Sequence, residues 1–230
     1  MLPDRAAPTF RSMNAASAVI LAGGRSSRMG LPKAALPFGP STILERLIDT
    51  LSGAFAEIIV VAAPLRDEPF SIDRTLLERA NEAHVTGPDE ATVMIERDAA
   101  AFEGPVGALR HGLTRARGEI VFACSCDLPL LRSELASALC AMIENNDAVI
   151  PQVEGRTQPL CAAYRRAPAI AALTAMETGN ERRLTLISER LKVRTVEETT
   201  LRAIDPQLRS FLNVNTAEDY ARALRLARES

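Results

Sequence analysis

The sequence predicts an α/β protein with a mostly parallel sheet covered by helices on both faces. Two observations carry that prediction. Short apolar runs alternate along the chain with segments of helical period, and turn or capping residues stand where one pattern gives way to the other. In such a fold ligands gather at the C-terminal ends of the strands.

The run Ala18-Val19-Ile20-Leu21 ends at the Gly23-Gly24 pair and reads as a buried strand. Thr42 and Glu45 form a capping box ahead of Ile43, Leu44, Leu47, Ile48 and Leu51, a helical stripe that stops at Gly53. Ile58-Ile59-Val60-Val61-Ala62-Ala63 is a second strand, closed by Pro64. The charges of residues 66–102 predict surface helix and loop, with an edge strand near His84-Val85. A helix carrying Val106, Leu109 and Leu113 then runs to Gly118, and Ile120-Val121-Phe122-Ala123-Cys124 is the next strand. A third helix is expected over 133–143 and a further strand at Ala148-Val149-Ile150. In the last third, Pro159-Leu160-Cys161-Ala162-Ala163-Tyr164 reads as a strand, 169–176 and 181–191 as helical, and 193–196 as a short strand. Thr216 caps a final helix whose first turn holds Glu218 and Asp219, as the helix dipole favours. There is no internal repeat, low-complexity tract or coiled-coil heptad.

With 230 residues, 47% of them hydrophobic, the chain can bury a substantial core. We expect residues 1–16 to form a flexible extension and 17–230 a single domain, although two small domains would also fit the length. Lys and Arg number 27 against 29 Asp and Glu, so no general basic field exists to hold nucleic acid, and phosphate chemistry must be local. No uncharged apolar run approaches the ~18 residues that a membrane span needs, and residues 1–17 lack the apolar stretch of a signal peptide. Cys124, Cys126, Cys140 and Cys161 do not make a disulfide framework in a chain this long, which points to a reducing, cytoplasmic setting.

The first glycine-rich loop, Leu21-Ala22-Gly23-Gly24-Arg25-Ser26-Ser27-Arg28-Met29-Gly30, suits a polyphosphate. Gly23 and Gly24 let the backbone pass close to phosphate, its amides can donate, and Arg25, Arg28 and Lys33 bring cations. It is neither a Walker A loop nor a dinucleotide fingerprint, and the residues alone also fit a glycine turn with solvated arginines. Asp127 follows an apolar strand and precedes Leu128-Pro129, where a carboxylate can anchor Mg²⁺ or begin a turn. Asn213 and Asn215 stand on one side of an extended segment and could complete a metal or phosphate shell, or simply begin the last helix. Cys124 and Cys126 read as small apolar thiols of a buried strand, because zinc would need further ligands and His84 and His111 sit in unrelated contexts.

Leu21 to Gly30 with Lys33, Ala34, Leu36 and Phe38-Gly39 resembles the signature of the molybdenum cofactor guanylyltransferases. Asp98 ahead of Gly104-Pro105-Val106-Gly107-Ala108-Leu109, then Cys126-Asp127-Leu128-Pro129, Gln158-Pro159-Leu160-Cys161-Ala162 and Asn213-Val214-Asn215-Thr216-Ala217-Glu218-Asp219 extend the resemblance over residues 17–226. It implies a Rossmann-like three-layer α/β/α sandwich of the nucleotide-diphospho-sugar transferase type. It implies an enzyme that uses Mg²⁺ to move GMP from GTP onto the terminal phosphate of molybdenum-bound molybdopterin, releasing pyrophosphate, with transient contacts to cofactor-biosynthesis proteins or molybdoenzymes. By position, Leu21, Ala22, Gly23, Gly24 and Arg25 would line the nucleotide and Lys33 would bind its phosphates. Asp127 would hold Mg²⁺, and Asp98 would lie near the guanosine. Asn213 and Asn215 would lie near the reacting phosphates, and Lys33 with Arg25 or Arg28 would stabilise the leaving pyrophosphate. Gly23-Gly24 fits the guanine-using branch, where cytidine-using relatives resemble it with Ala-Gly. The chain departs from the usual Pro-Leu-Ala-Gly at Pro105-Val106-Gly107-Ala108, and residues 66–102 are a candidate lid.

Other readings of the same residues are a cytidylyltransferase for molybdopterin, a phospholactate or sugar-phosphate nucleotidyltransferase, and a non-catalytic nucleotide-binding protein. The joint presence of Lys33 and Asp127 argues against the last.

Overall fold

The computed structural model describes residues 16–23, 32–63, 91–97 and 104–229. Of the expected extension only Ala16 is described, as the first residue of a strand, and the strand near His84-Val85, the candidate lid over most of its length, and Gly24, Arg25, Arg28 and Asp98 lie outside the described residues.

The strands of the main sheet are β1 (Ala16–Leu21), β4 (Glu57–Ala62), β5 (Thr92–Arg97), β6 (Ile120–Ser125), β7 (Ala148–Val153), β8 (Arg156–Thr157), β9 (Cys161–Arg165) and β10 (Val193–Val196). Their order is β10-β7-β9-β6-β1-β4-β5, with β8 paired to β7. A small hairpin of β2 (Pro37–Phe38) and β3 (Ser41–Thr42) stands apart. The helices are α1 (Ile43–Ser52), α2 (Pro105–Arg115), α3 (Ser133–Ala141), α4 (Arg166–Thr178), α5 (Glu198–Arg202) and α6 (Ala217–Arg228).

Central strands β1 and β4 are buried along their whole length, which is why they read as continuous apolar runs. Their side chains alternate between two cores. Ala18, Ile20, Ile58 and Val60 join the core that includes Leu44 and Leu47 of α1 and Leu135 and Leu139 of α3. Val19, Leu21, Ile59 and Val61 join the opposite core, with Leu109 and Leu113 of α2 and Leu173 and Met176 of α4. Two apolar cores on one sheet make three layers, as expected. On the α2 face the approach is close, since a Cβ on Gly112 would stand 2.6 Å from Val19 Cγ1.

Three details differ from the sequence reading. A strand that the sequence reading did not name follows β4 in the sheet at Thr92–Arg97, and every residue in it is only partly buried. The segment 181–191 forms a 3₁₀ helix over Leu184–Glu189. Strand β9 runs antiparallel to both β6 and β7. The reason is the turn Glu154-Gly155, with φ of 51° and 72°, which reverses the chain after β7 as paired positive φ values do in tight hairpins. Elsewhere β1, β4, β5 and β6 are mutually parallel, so their C-terminal ends share one edge.

Candidate functional site

That edge is fixed by backbone bonds that run past the strand ends. Ala22 N donates to Val61 O at 2.8 Å, Cys126 N to Leu21 O at 3.0 Å, and Ser125 N to Leu160 O at 3.0 Å. They hold Asp127 beside the exit of β1. Lys33 comes in from a 3₁₀ turn (Lys33–Ala35), and the turn leads into the β2-β3 hairpin. Asn215 comes from the segment just before α6, where Thr216 is the expected cap and forms a capping box with Asp219.

Lys33 Nζ joins the three. It donates to Asn215 Oδ1 at 2.7 Å and lies 3.3 Å from Asp127 Oδ2, with the two charged side chains 22% and 17% exposed. The second carboxylate oxygen, Asp127 Oδ1, is buried without a hydrogen-bond partner. A buried anionic oxygen in that condition needs a partner, and a hard cation suits it. The donor set of carboxylate and amide oxygens is that of Mg²⁺ or Mn²⁺. No cluster of three His, Cys, Asp or Glu is placed to hold a metal among the described residues, so such an ion would complete its shell with phosphate and water.

Asn213 and Asn215 do not act alike: the amide of Asn213 reaches only the Phe211 carbonyl, at 3.5 Å. Leu21 is buried and Ala22 partly buried at the edge. Gly23 has a φ open to any residue, and a Cβ there would meet Ala63 N at an ordinary 3.6 Å. The fold itself therefore does not demand glycine at this position, contrary to a purely conformational reading. At Gly107, where the chain departs from the usual motif, a Cβ would stand 3.0 Å from Glu177 Oε1, the end of a partly exposed side chain that pairs with Arg110.

All four thiols are free and buried. Burial first, then the Asp127 charge, pushes the Cys126 thiol up to about 12, and burial does the same for Cys140. Cys124 and Cys161 are raised as well, burial being the main cause. His111 stays away from the site, with Nε2 at 3.5 Å from Glu96 Oε2 on the β5 side.

Several supports were not visible in the sequence. Arg46 Nε donates to Pro129 O at 2.9 Å while its guanidinium lies over the Phe38 ring, joining the hairpin to the Asp127 loop. Tyr220 donates its hydroxyl to Pro37 O, joining α6 to the same hairpin. Asp205 is buried at 2% exposure, although Asp205-Pro206 signals nothing more than a turn.

A three-layer fold with lysine, carboxylate and amide gathered at the C-terminal edge defines a nucleotide-transferring class of protein. The chain belongs to the MobA-like NTP transferase domain family, which it matches over residues 18–194. It is 33% identical over 215 residues to a probable molybdenum cofactor guanylyltransferase of Methanosarcina mazei, covering 93% of this chain and 92% of that protein. A molybdenum cofactor guanylyltransferase of Desulfosudis oleivorans is 30% identical over 216 residues, covering 92% and 95%. In fold it is similar to the molybdopterin-guanine dinucleotide biosynthesis protein A of Archaeoglobus fulgidus, with TM-score 0.72, 21% identity, and 93% and 100% of the two chains covered. It is also similar to Rv0371c of Mycobacterium tuberculosis in complex with manganese, with TM-score 0.54, 18% identity, and 91% and 98% covered. No helix among the described residues is long and apolar enough to cross a membrane.

Proposed function

We propose that this chain is a cytoplasmic molybdenum cofactor guanylyltransferase that moves GMP from GTP onto the terminal phosphate of molybdenum-bound molybdopterin and releases pyrophosphate. Names of relatives supply the substrates. The observation that carries the chemistry is Lys33 Nζ held between Asp127 and Asn215 while Asp127 Oδ1 is left without a partner.

Displacement at an α-phosphate needs no enzyme nucleophile, because the attacking phosphate is already ionised at neutral pH. The protein's task is to position two polyanions and neutralise their charge. Leu21, Ala22 and Gly23, with Gly24 and Arg25 beyond the described residues, line the nucleotide, and Asp98 lies near the guanosine. Lys33 turns from Asp127 to the phosphates and, with Arg28 or Arg25, meets the charge that gathers on pyrophosphate. Asp127 Oδ1 holds Mg²⁺, and Asn215 with Asn213 lies near the reacting phosphates. Bound there, Mg²⁺ supplies the positive charge that lets the acceptor phosphate approach the α-phosphate. Residues 17–230 act as one domain. Brief contacts with cofactor-biosynthesis proteins or molybdoenzymes deliver the pterin and accept the product.

The test is thermal stability with Mg²⁺ and each of GTP, CTP, ATP and UTP at about 100 times Kd, where a selective ligand adds about 2.7 kcal/mol. A shift with GTP alone, followed by GMP transfer to molybdopterin with pyrophosphate release, supports the proposal. A shift with CTP alone moves the assignment to a cytidylyltransferase, and no shift with any nucleotide sinks the catalytic reading.

A further inference from the structure

Two loops meet beyond the end of β6, and they are joined at two points. The first carries Asp127 and ends at Arg132, the residue that precedes α3. The second runs from Asp205 through the 3₁₀ turn Arg209–Phe211 to Asn215. Val214 N donates to Asp127 O at 2.8 Å, next to the candidate site, and Arg132 N donates to Ser210 Oγ at 3.2 Å, further back. Ser210 is wholly buried, and its own N–H donates to Asp205 Oδ2 at 2.8 Å. Asp205 also accepts, through its carbonyl oxygen, the N–H of Leu208 at 2.9 Å, and Leu208 stands in the left-handed region with φ of 52°. A turn that forces a leucine into that region needs something to hold it.

We infer that Asp205 is a positioning residue: its buried carboxylate fixes Ser210, and through the Ser210–Arg132 and Val214–Asp127 bonds it sets where Asn215 and Asp127 stand relative to Lys33. A charged group here is an expensive choice for simple core filling, since an apolar side chain packs without desolvating an anion. A carboxylate does what an apolar side chain cannot: it accepts the N–H of Ser210 inside a turn closed to water. Leu208, Phe211 and Val214 of the same loop are buried in the core, so a shift of Ser210 cannot be absorbed by solvent and is passed to Asn215. The catalytic consequence rests on the function proposed above, whereas the geometric claim does not.

The experiment compares Asp205→Ala, Asp205→Asn and Ser210→Ala in the full chain, far below their melting temperatures. Amide hydrogen exchange reads geometry without any ligand. In Asp205→Ala the Val214 amide should exchange about 10-fold faster relative to the β1 amides, beyond any global loss of stability. Turnover in the same variant should fall by about 10- to 100-fold with little change in the KM for nucleotide, as misplacement of groups around the reacting phosphates predicts. Asp205→Asn keeps an acceptor oxygen and should restore most of both. Ser210→Ala leaves the buried carboxylate in place, removes only the link to Arg132, and should move both readouts in the same direction by less. If Asp205→Ala does not fold, Ser210→Ala decides the relay through Arg132, and unchanged Val214 exchange relative to β1 with unchanged turnover in that variant overturns the inference. Val214 protection that falls only as far as that of β1, with turnover unchanged, overturns the inference. A wild-type protein that transfers no nucleotide would sink the proposed function and leave the exchange test standing.

Discussion

Two carboxylates stand at opposite ends of the same sheet, and they are finished differently. At the N-terminal edge, Glu57 is 8% exposed and accepts on Oε2 from Ser17 Oγ and, at 2.8 Å, from Arg117 N, while Ser17 in turn accepts from Gly118 N at 2.9 Å. Its other oxygen, Oε1, is also buried without a hydrogen-bond partner, but it has a cation beside it, the Arg117 guanidinium at 3.4 Å. The chain's own groups surround that carboxylate, tying β1 and β4 to the turn before β6. At the C-terminal edge, Asp127 has one oxygen near a lysine that is shared with Asn215, and the other buried without a hydrogen-bond partner. The difference is that each oxygen of Glu57 meets a donor or a cation of the chain, whereas among the described residues Asp127 Oδ1 meets neither, as the proposed ligand role of Asp127 would require.

Breaking the comparison at Asp127 should have the largest effect. Asp127→Asn should lower kcat/KM for nucleotide transfer by about 10³-fold, close to 4 kcal/mol of transition-state stabilisation, while the melting temperature holds or rises. Steady-state kinetics beside a thermal melt decide it, and a large drop in stability would place Asp127 with Glu57 instead. Glu57→Ala should show the reverse. It leaves the Ser17 hydroxyl and the Arg117 amide without their acceptor and should cost about 2 to 3 kcal/mol in urea unfolding, with turnover per folded molecule unchanged. The ion pair adds little to that figure, because the Arg117 side chain is 80% exposed.

A smaller effect sharpens what Lys33 does. Among the described residues it is the cation paired with Asp127, so Lys33→Met should tighten Mn²⁺ binding to the nucleotide-free protein about 10-fold, or 1.4 kcal/mol, and weaken binding of the triphosphate. Electron paramagnetic resonance of free Mn²⁺ reads the first change and calorimetry the second. Equal Mn²⁺ affinity in both proteins would mean that lysine and metal do not compete for the carboxylate.

These two ends were unequally legible in the sequence. Asp127 stood out because an apolar strand ended at it, and Lys33 because a glycine-rich loop led to it. Each signal is local, and the edge to which parallel strands deliver such residues follows from the fold class. Asn215 was seen but not told apart from Asn213, since an extended segment does not say which amide meets a lysine 182 positions away. Glu57 and Asp205 gave no signal, because a lone acidic residue beside an apolar run looks like any solvated charge until its neighbours are known. The same limit applied to the fold. The capping box at Thr42, the cap at Thr216 and the strands β1, β4, β6 and β10 were readable from adjacent residues. Strand β9 was readable as a strand but not as antiparallel, because the order in which strands pair is a long-range property, and β5 was missed because its partly buried residues carry charges at the end of the strand.

The smallest effect concerns the surroundings of Asp127. Cys126 is adjacent to it in sequence, 6% exposed, and its thiol is pushed up to about 12 by burial and then by the Asp127 charge. A thiol raised in the folded state contributes stability that is intact below its ordinary pKa, and that contribution fades as the pH climbs from there towards about 12. The unfolded chain releases the proton first, so alkaline conditions favour unfolding and neutral ones leave stability untouched. At pH 8 the native protein should therefore react negligibly with a thiol reagent at Cys126, while the urea-unfolded chain reacts at the rate of a free cysteine. Fast labelling of Cys126 in the native state would show that the whole Asp127 loop opens. Slow labelling would show that the Asp127 loop stays closed over Cys126 in the native state, so that the metal role proposed for Asp127 would need no opening of the whole loop.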